Sequence, residues 1–289
     1  MLKKLSLSLF LFSFSLIALS CIDGEGLVPP NDLYIPPYSK DHKSKIDEAK
    51  FNKIIDDIDS IYKPLMQERH NLDLRIAKRW SDGTVNASAM QMGRTAHVNM
   101  FGGLARHHAV TPDGFALVVC HEIGHHIGGL PKVQRLFITM WASNEGQSDY
   151  FATSKCMRRY VEQFPIDHST LEVDPFASEM CSKAFLTKND IQSCERIAMA
   201  GQSLANLFAS LRKIQRPRFE TPSTNQVMRT DHSHPAAQCR LDTYFQGALC
   251  EQDYDVDMSE SNTIDGSCTR RQGHDIGFRP RCWFRPGKV

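Results

Sequence analysis

Between residues 41 and 67 apolar side chains recur at Ile46, Phe51, Ile54, Ile55, Ile58, Ile61 and Leu65, with charged residues between them. That spacing predicts an amphipathic helix with one packed face, which Pro64 should stop or kink. The pattern then changes. Short runs at 72–80, 84–91 and 95–101 lie around a Ser81-Asp82-Gly83 turn and predict an antiparallel meander. Helical spacing returns over 115–127, behind a Thr111-Pro112-Asp113-Gly114 turn that also supplies a helix start, and Gly128, Gly129 and Pro131 end it. Segments near 132–140, 144–163, 175–185 and 190–214 read as further helices. The expected class is α+β and mainly helical, with a small antiparallel sheet beside the central helix.

The first twenty residues break this pattern. Lys3 and Lys4 precede an apolar run over 5–17 that ends in Ala18-Leu19-Ser20-Cys21, which reads as a cleaved export signal and is short for a membrane span. Small residues directly before Cys21 resemble a bacterial lipoprotein signal, with Ala18 where that pattern usually has Leu; ordinary cleavage before Cys21 is the other reading. Residues 27–39 carry four prolines and suit a linker. The expected organisation is a signal over 1–20, a linker over 21–40, a catalytic body over 41–240 and a Cys-rich extension over 241–289. The chain would then sit on the periplasmic side of a bacterial envelope, held to the membrane by lipid on Cys21.

Cysteine usage agrees with an oxidising compartment: with Cys21 set apart, eight of the nine cysteines remain, an even number suited to disulfides. Four of these, Cys239, Cys250, Cys268 and Cys282, lie where apolar residues are sparse, so that region should be stapled. None has the CxxC spacing of a structural zinc site. Charge adds little, since 34 basic residues against 33 acidic give near neutrality and no footprint for nucleic acid.

His121-Glu122-Ile123-Gly124-His125 carries the chemistry. Histidines four apart share one helix face and can reach one ion, while the adjacent Glu122 can hold and deprotonate a water. A catalytic zinc wants a third protein ligand and an open position. Asn144-Glu145-Gly146-Gln147-Ser148-Asp149 supplies two candidates on one face of the next helix: Glu145 as ligand and Asp149 as the acceptor for a histidine's second nitrogen.

These motifs resemble the gluzincin metallopeptidases, and the late His234-Pro235-Ala236-Ala237-Gln238-Cys239-Arg240 segment resembles the HtpX and BepA-like bacterial peptidases. The resemblance implies a thermolysin-like zincin core, one zinc per chain on His121, His125 and Glu145, and catalytic parts for His234 and Arg240, with His234 near the oxyanion. His232 could stand in for His234. Before the first motif, only Asn99-Met100-Phe101-Gly102-Gly103 stands where that family has a longer segment. A metzincin would need a third histidine where Pro131 lies.

The expected function is a zinc endopeptidase acting on envelope or unfolded proteins, with Glu122 as general base and residues 95–101 as the edge strand that pairs with an extended substrate. Two alternatives stay open: a non-catalytic envelope binding protein on the same fold, and a peptidase covered by its C-terminal tail. Histidines 97, 107, 108 and 126 read as structural, and Cys120 as a packing or disulfide residue. Substrate specificity and oligomeric state are not encoded in any readable motif.

Overall fold

The computed structural model describes residues 19–20, 26–28, 31–40, 44–135 and 138–287. Cys21 and nearly all of the expected signal lie outside the described residues. In chain order the elements are β1 (Leu19–Ser20), α1 (Glu48–His70), β2 (Asp73–Arg79), β3 (Ala87–Met92), β4 (Thr95–Phe101), α2 (Gly102–Arg106), α3 (Pro112–Ile127), β5 (Lys132–Arg135), β6 (Ile138–Ser143), α4 (Glu145–Phe151), a π-helical turn (Ala152–Cys156), α5 (Met157–Gln163), α6 (Pro175–Ala184), α7 (Lys188–Arg212) and α8 (Ala237–Ala248). The class is α+β and mainly helical. Among the described residues no helix is long and apolar enough to cross a membrane.

The core forms around α3, which is buried from Gly114 to Ile127 and packs against α1, α4 and α7. Its start is fixed locally: Thr111 caps it by accepting from the Gly114 amide, and Pro112 takes the first turn, where a missing N–H costs nothing. Helix α1 presents Phe51, Ile54, Ile55, Ile58 and Met66 to this core. It is not stopped at Pro64 but continues to His70, with buried Ile61, Tyr62 and Met66 on either side of the proline keeping both halves against the core.

The main sheet has the order β1-β3-β4-β2. Strands β3 and β4 form an antiparallel hairpin turned at Gly93, but β2 and β4 pair in parallel, so the sheet is mixed and not a meander. Alternation along β4 sends Ala96, Val98 and Met100 inward. Two neighbours flank β4, which makes it an inner strand. On that side lies β3, itself followed by the two-residue β1, so residues 95–101 are not an edge open to substrate.

Residues 132–135 and 138–140 are also not helical. They form the antiparallel pair β5–β6, where Val133, Ile138 and Thr139 bring the β-branched side chains that suit a pleated strand. This hairpin returns the chain to the end of α3, with Ser143 donating to the Gly129 carbonyl at 2.7 Å. Four disulfides close the described body: Cys120–Cys156, Cys181–Cys194, Cys239–Cys282 and Cys250–Cys268. The last two staple the C-terminal region as its spacing suggested.

Candidate metal centre

A close approach between two helices and a local helix cap create the site. Helix α4 crosses α3 at Gly124, where an added Cβ would lie 3.1 Å from the Ser148 backbone and 3.0 Å from the Phe151 ring, so a side chain there would push the helices apart. Asn144 caps α4, its side chain accepting from the Gln147 amide at 2.9 Å, and this sets Glu145 at the first helical position, facing α3.

Glu145 then meets both histidines of the first motif. Its Oε2 lies 3.3 Å from His121 Nε2 and its Oε1 lies 3.5 Å from His125 Nε2. Ligands placed at zinc-bond length around a tetrahedron are about 3.4 Å apart, so the three groups already have the separation one ion would impose. All their candidate ligand atoms fall within 4.8 Å of one another.

The second nitrogens fix the tautomers. His121 Nδ1 faces Asp149 Oδ1 at 2.7 Å, and His125 Nδ1 donates to the Ser143 carbonyl at 2.9 Å with Ser148 Oγ at 3.1 Å. Both Nε2 atoms are left buried without a hydrogen-bond partner, as are Glu145 Oε2 and both carboxylate oxygens of Glu122. Orphaned buried polar atoms are costly, and a shared cation would satisfy the ligand atoms at once. The donor set, two imidazoles and one carboxylate, could hold a metal ion.

The electrostatics are those of a buried site. Burial pushes the Glu122 carboxyl up to about 8. Burial likewise drives the His125 imidazole down to about 4, against the pull of Glu145. For His121 burial works in the same sense, yet the Asp149 and Glu145 carboxylates outweigh it and hold the ring at about 9. Glu145 and Asp149 are held below the ordinary carboxylate range despite burial, Glu145 by the histidines and Asp149 by Arg240 and His121.

The late motif also reaches this place. Arg240 forks onto Asp149, with Nε to Oδ2 at 2.8 Å and Nη2 to Oδ1 at 2.6 Å, and its guanidinium lies 4.1 Å over the Phe208 ring. His234 Nε2 comes within 3.4 Å of Glu145 Oε2. His232 instead meets the Asn144 amide at 3.3 Å. The histidines set aside on sequence grounds stay apart from the centre: His107 accepts from the Ala109 amide, and His126 stacks on Trp141 with 4.7 Å between ring centroids.

Three features were missed. Ser143 and Ser148 hold His125, which only the hairpin register reveals. The C-terminal region braces α4, since the Trp283 ring covers Gly146 and Arg279 donates to Gln147 at 3.0 Å. Finally, the Gly26 carbonyl accepts from His234 Nε2 at 2.8 Å and the Leu27 carbonyl accepts from Arg240 at 2.8 Å.

The chain matches no family model, no curated protein and no solved structure.

Proposed function

We propose that the protein is a zinc-dependent endopeptidase of the gluzincin type, resembling the HtpX and BepA-like enzymes, that hydrolyses peptide bonds of unfolded or envelope proteins outside the cytoplasm. The observation that carries the reading is the convergence of His121, His125 and Glu145 on one point, with unpartnered ligand atoms, beside the buried carboxyl of Glu122.

A zinc ion on those three residues would supply Lewis-acid polarisation of a water and of the scissile carbonyl. Glu122 takes the proton from the attacking water and returns it to the leaving amine. Its buried carboxyl, pushed up to about 8, holds a proton readily near neutral pH, and positive charge gathered by the three ligands would lower that value toward the base form. Asp149 keeps His121 in the tautomer that offers Nε2, and Arg240 neutralises Asp149 so that the carboxylate can stay buried and charged. His234 donates from Nε2 toward the carbonyl oxygen on which negative charge develops.

The test is zinc content together with chelator-sensitive hydrolysis of unfolded casein by the purified protein and by Glu122→Gln. One zinc per chain, with hydrolysis lost in the variant and metal retained, is expected. Hydrolysis that persists in Glu122→Gln refutes the mechanism.

A further inference from the structure

The ligands and base of this centre are almost wholly enclosed: His121, Glu122 and His125 are 0% exposed and Glu145 is 3% exposed. No polypeptide substrate can reach them in this arrangement. Two backbone carbonyls of the N-terminal segment reach the side chains that flank the centre, Gly26 on His234 and Leu27 on Arg240.

That segment lies along the side of β3 away from β4. The Leu27 amide donates to the Ala87 carbonyl at 3.0 Å, the Val28 amide to Asn86 Oδ1 at 3.1 Å, Asn31 to the Val85 carbonyl at 3.3 Å, and the Ile35 amide to the Gly83 carbonyl at 2.7 Å. Across its described residues, as the chain advances from 27 to 35 its partners fall from 87 to 83, so the direction is antiparallel. This is strand addition to a sheet edge made by the chain itself.

We propose that residues 26–28 are an internal occupant of the substrate-binding edge and keep the enzyme latent until they are displaced; this rests on the peptidase reading above. Two details distinguish a resident blocker from a passing substrate. Gly26 adopts φ +60°, a left-handed conformation that bends the backbone away from the extended form a scissile peptide takes, and an added Cβ would lie 2.0 Å from the Ala87 carbonyl oxygen. Leu27 and Val28 are fully buried in the core, which anchors the segment beside the centre. The occupied subsites also define what a substrate must offer: an extended backbone antiparallel to β3, with successive carbonyls presented to His234 and Arg240.

The test uses the full chain carrying Gly26→Val, and separately Leu27→Asp, each of which expels the segment by a different route. Three readouts are needed: amide hydrogen exchange of residues 26–28, the rate at which a chelating dye strips bound zinc, and casein hydrolysis. Faster exchange with zinc stripping and hydrolysis both raised at least about tenfold is expected, as displacement shifts the population toward an open site. A synthetic peptide of residues 26–35, but not its scrambled sequence, should return the variants toward latency competitively with substrate.

Opened segments with unchanged zinc stripping and unchanged hydrolysis would overturn the proposal. Faster zinc stripping without any hydrolysis would instead retain the occlusion and sink the peptidase reading. Absence of bound zinc from every form would end both.

Discussion

The disulfide Cys120–Cys156 joins the helix bearing His121 and His125 to the π-helical turn that follows Glu145 and Asp149. The residues between the two cysteines therefore include both histidines, Glu122, Glu145 and Asp149. With a sequence separation of 36, cross-linking removes about 13 cal/mol/K of unfolded-chain entropy, or about 4 kcal/mol at 25 °C, in the loop-closure account. Replacing both cysteines by Ala should cost about that much. With a urea slope near 3 kcal/mol/M the unfolding midpoint should fall by about 1.3 M. Because both sulfurs are buried, some lost packing adds to the cost. Equilibrium urea unfolding at neutral pH, followed by tryptophan fluorescence, measures the shift, and zinc titration measures whether site affinity falls with it. A midpoint unchanged to within about 0.3 M would refute the claim that this bond, and not packing alone, holds the two helices in register.

Other outcomes follow from single contacts. Asp149→Asn leaves the buried Arg240 guanidinium without its counter-charge and should destabilise the fold by about 3–5 kcal/mol, read as a lowered unfolding midpoint, besides weakening zinc binding through His121. Glu145→Ala should reduce zinc affinity itself; unchanged zinc content would assign the third ligand elsewhere. His234→Ala should keep zinc and lower turnover about a hundredfold, measured in the Gly26→Val background so that latency does not mask the effect. Burial pushes the Lys155 ammonium down to about 7 from an ordinary value near 10.5. Between those values the unfolded chain binds a proton the folded chain does not, so stability rises with pH; the advantage of Lys155→Met should shrink by about 1–2 kcal/mol from pH 7 to 9, and a constant difference would contradict it. Cys21→Ser should release the protein from membranes, with mass spectrometry of the mature terminus as the check.

The helices and the candidate metal-binding residues were legible because their signals are local. A 3.6-residue period marks α1, α3 and α7, Thr111 and Asn144 announce their helix starts, and His121, His125 and Glu145 sit in short motifs. What escaped depends on pairing across long stretches of sequence. Residues 132–140 have too few positions to separate helix from strand by period, and their fate was decided by the return of the chain to Gly129. The parallel pairing of β2 with β4 requires a crossover that no turn residue declares. Gly26, Leu27 and Val28 read as the start of a proline-containing linker because their partners, Ala87, His234 and Arg240, are distant in the sequence and nothing in the local composition names them.

Trp283 packs over Gly146, immediately after Glu145, and its indole nitrogen donates to Thr243 at 3.0 Å. During synthesis His121, His125 and Glu145 emerge long before Trp283, the residue that holds α4 from behind, so a nascent chain carries the whole triad before it carries the brace.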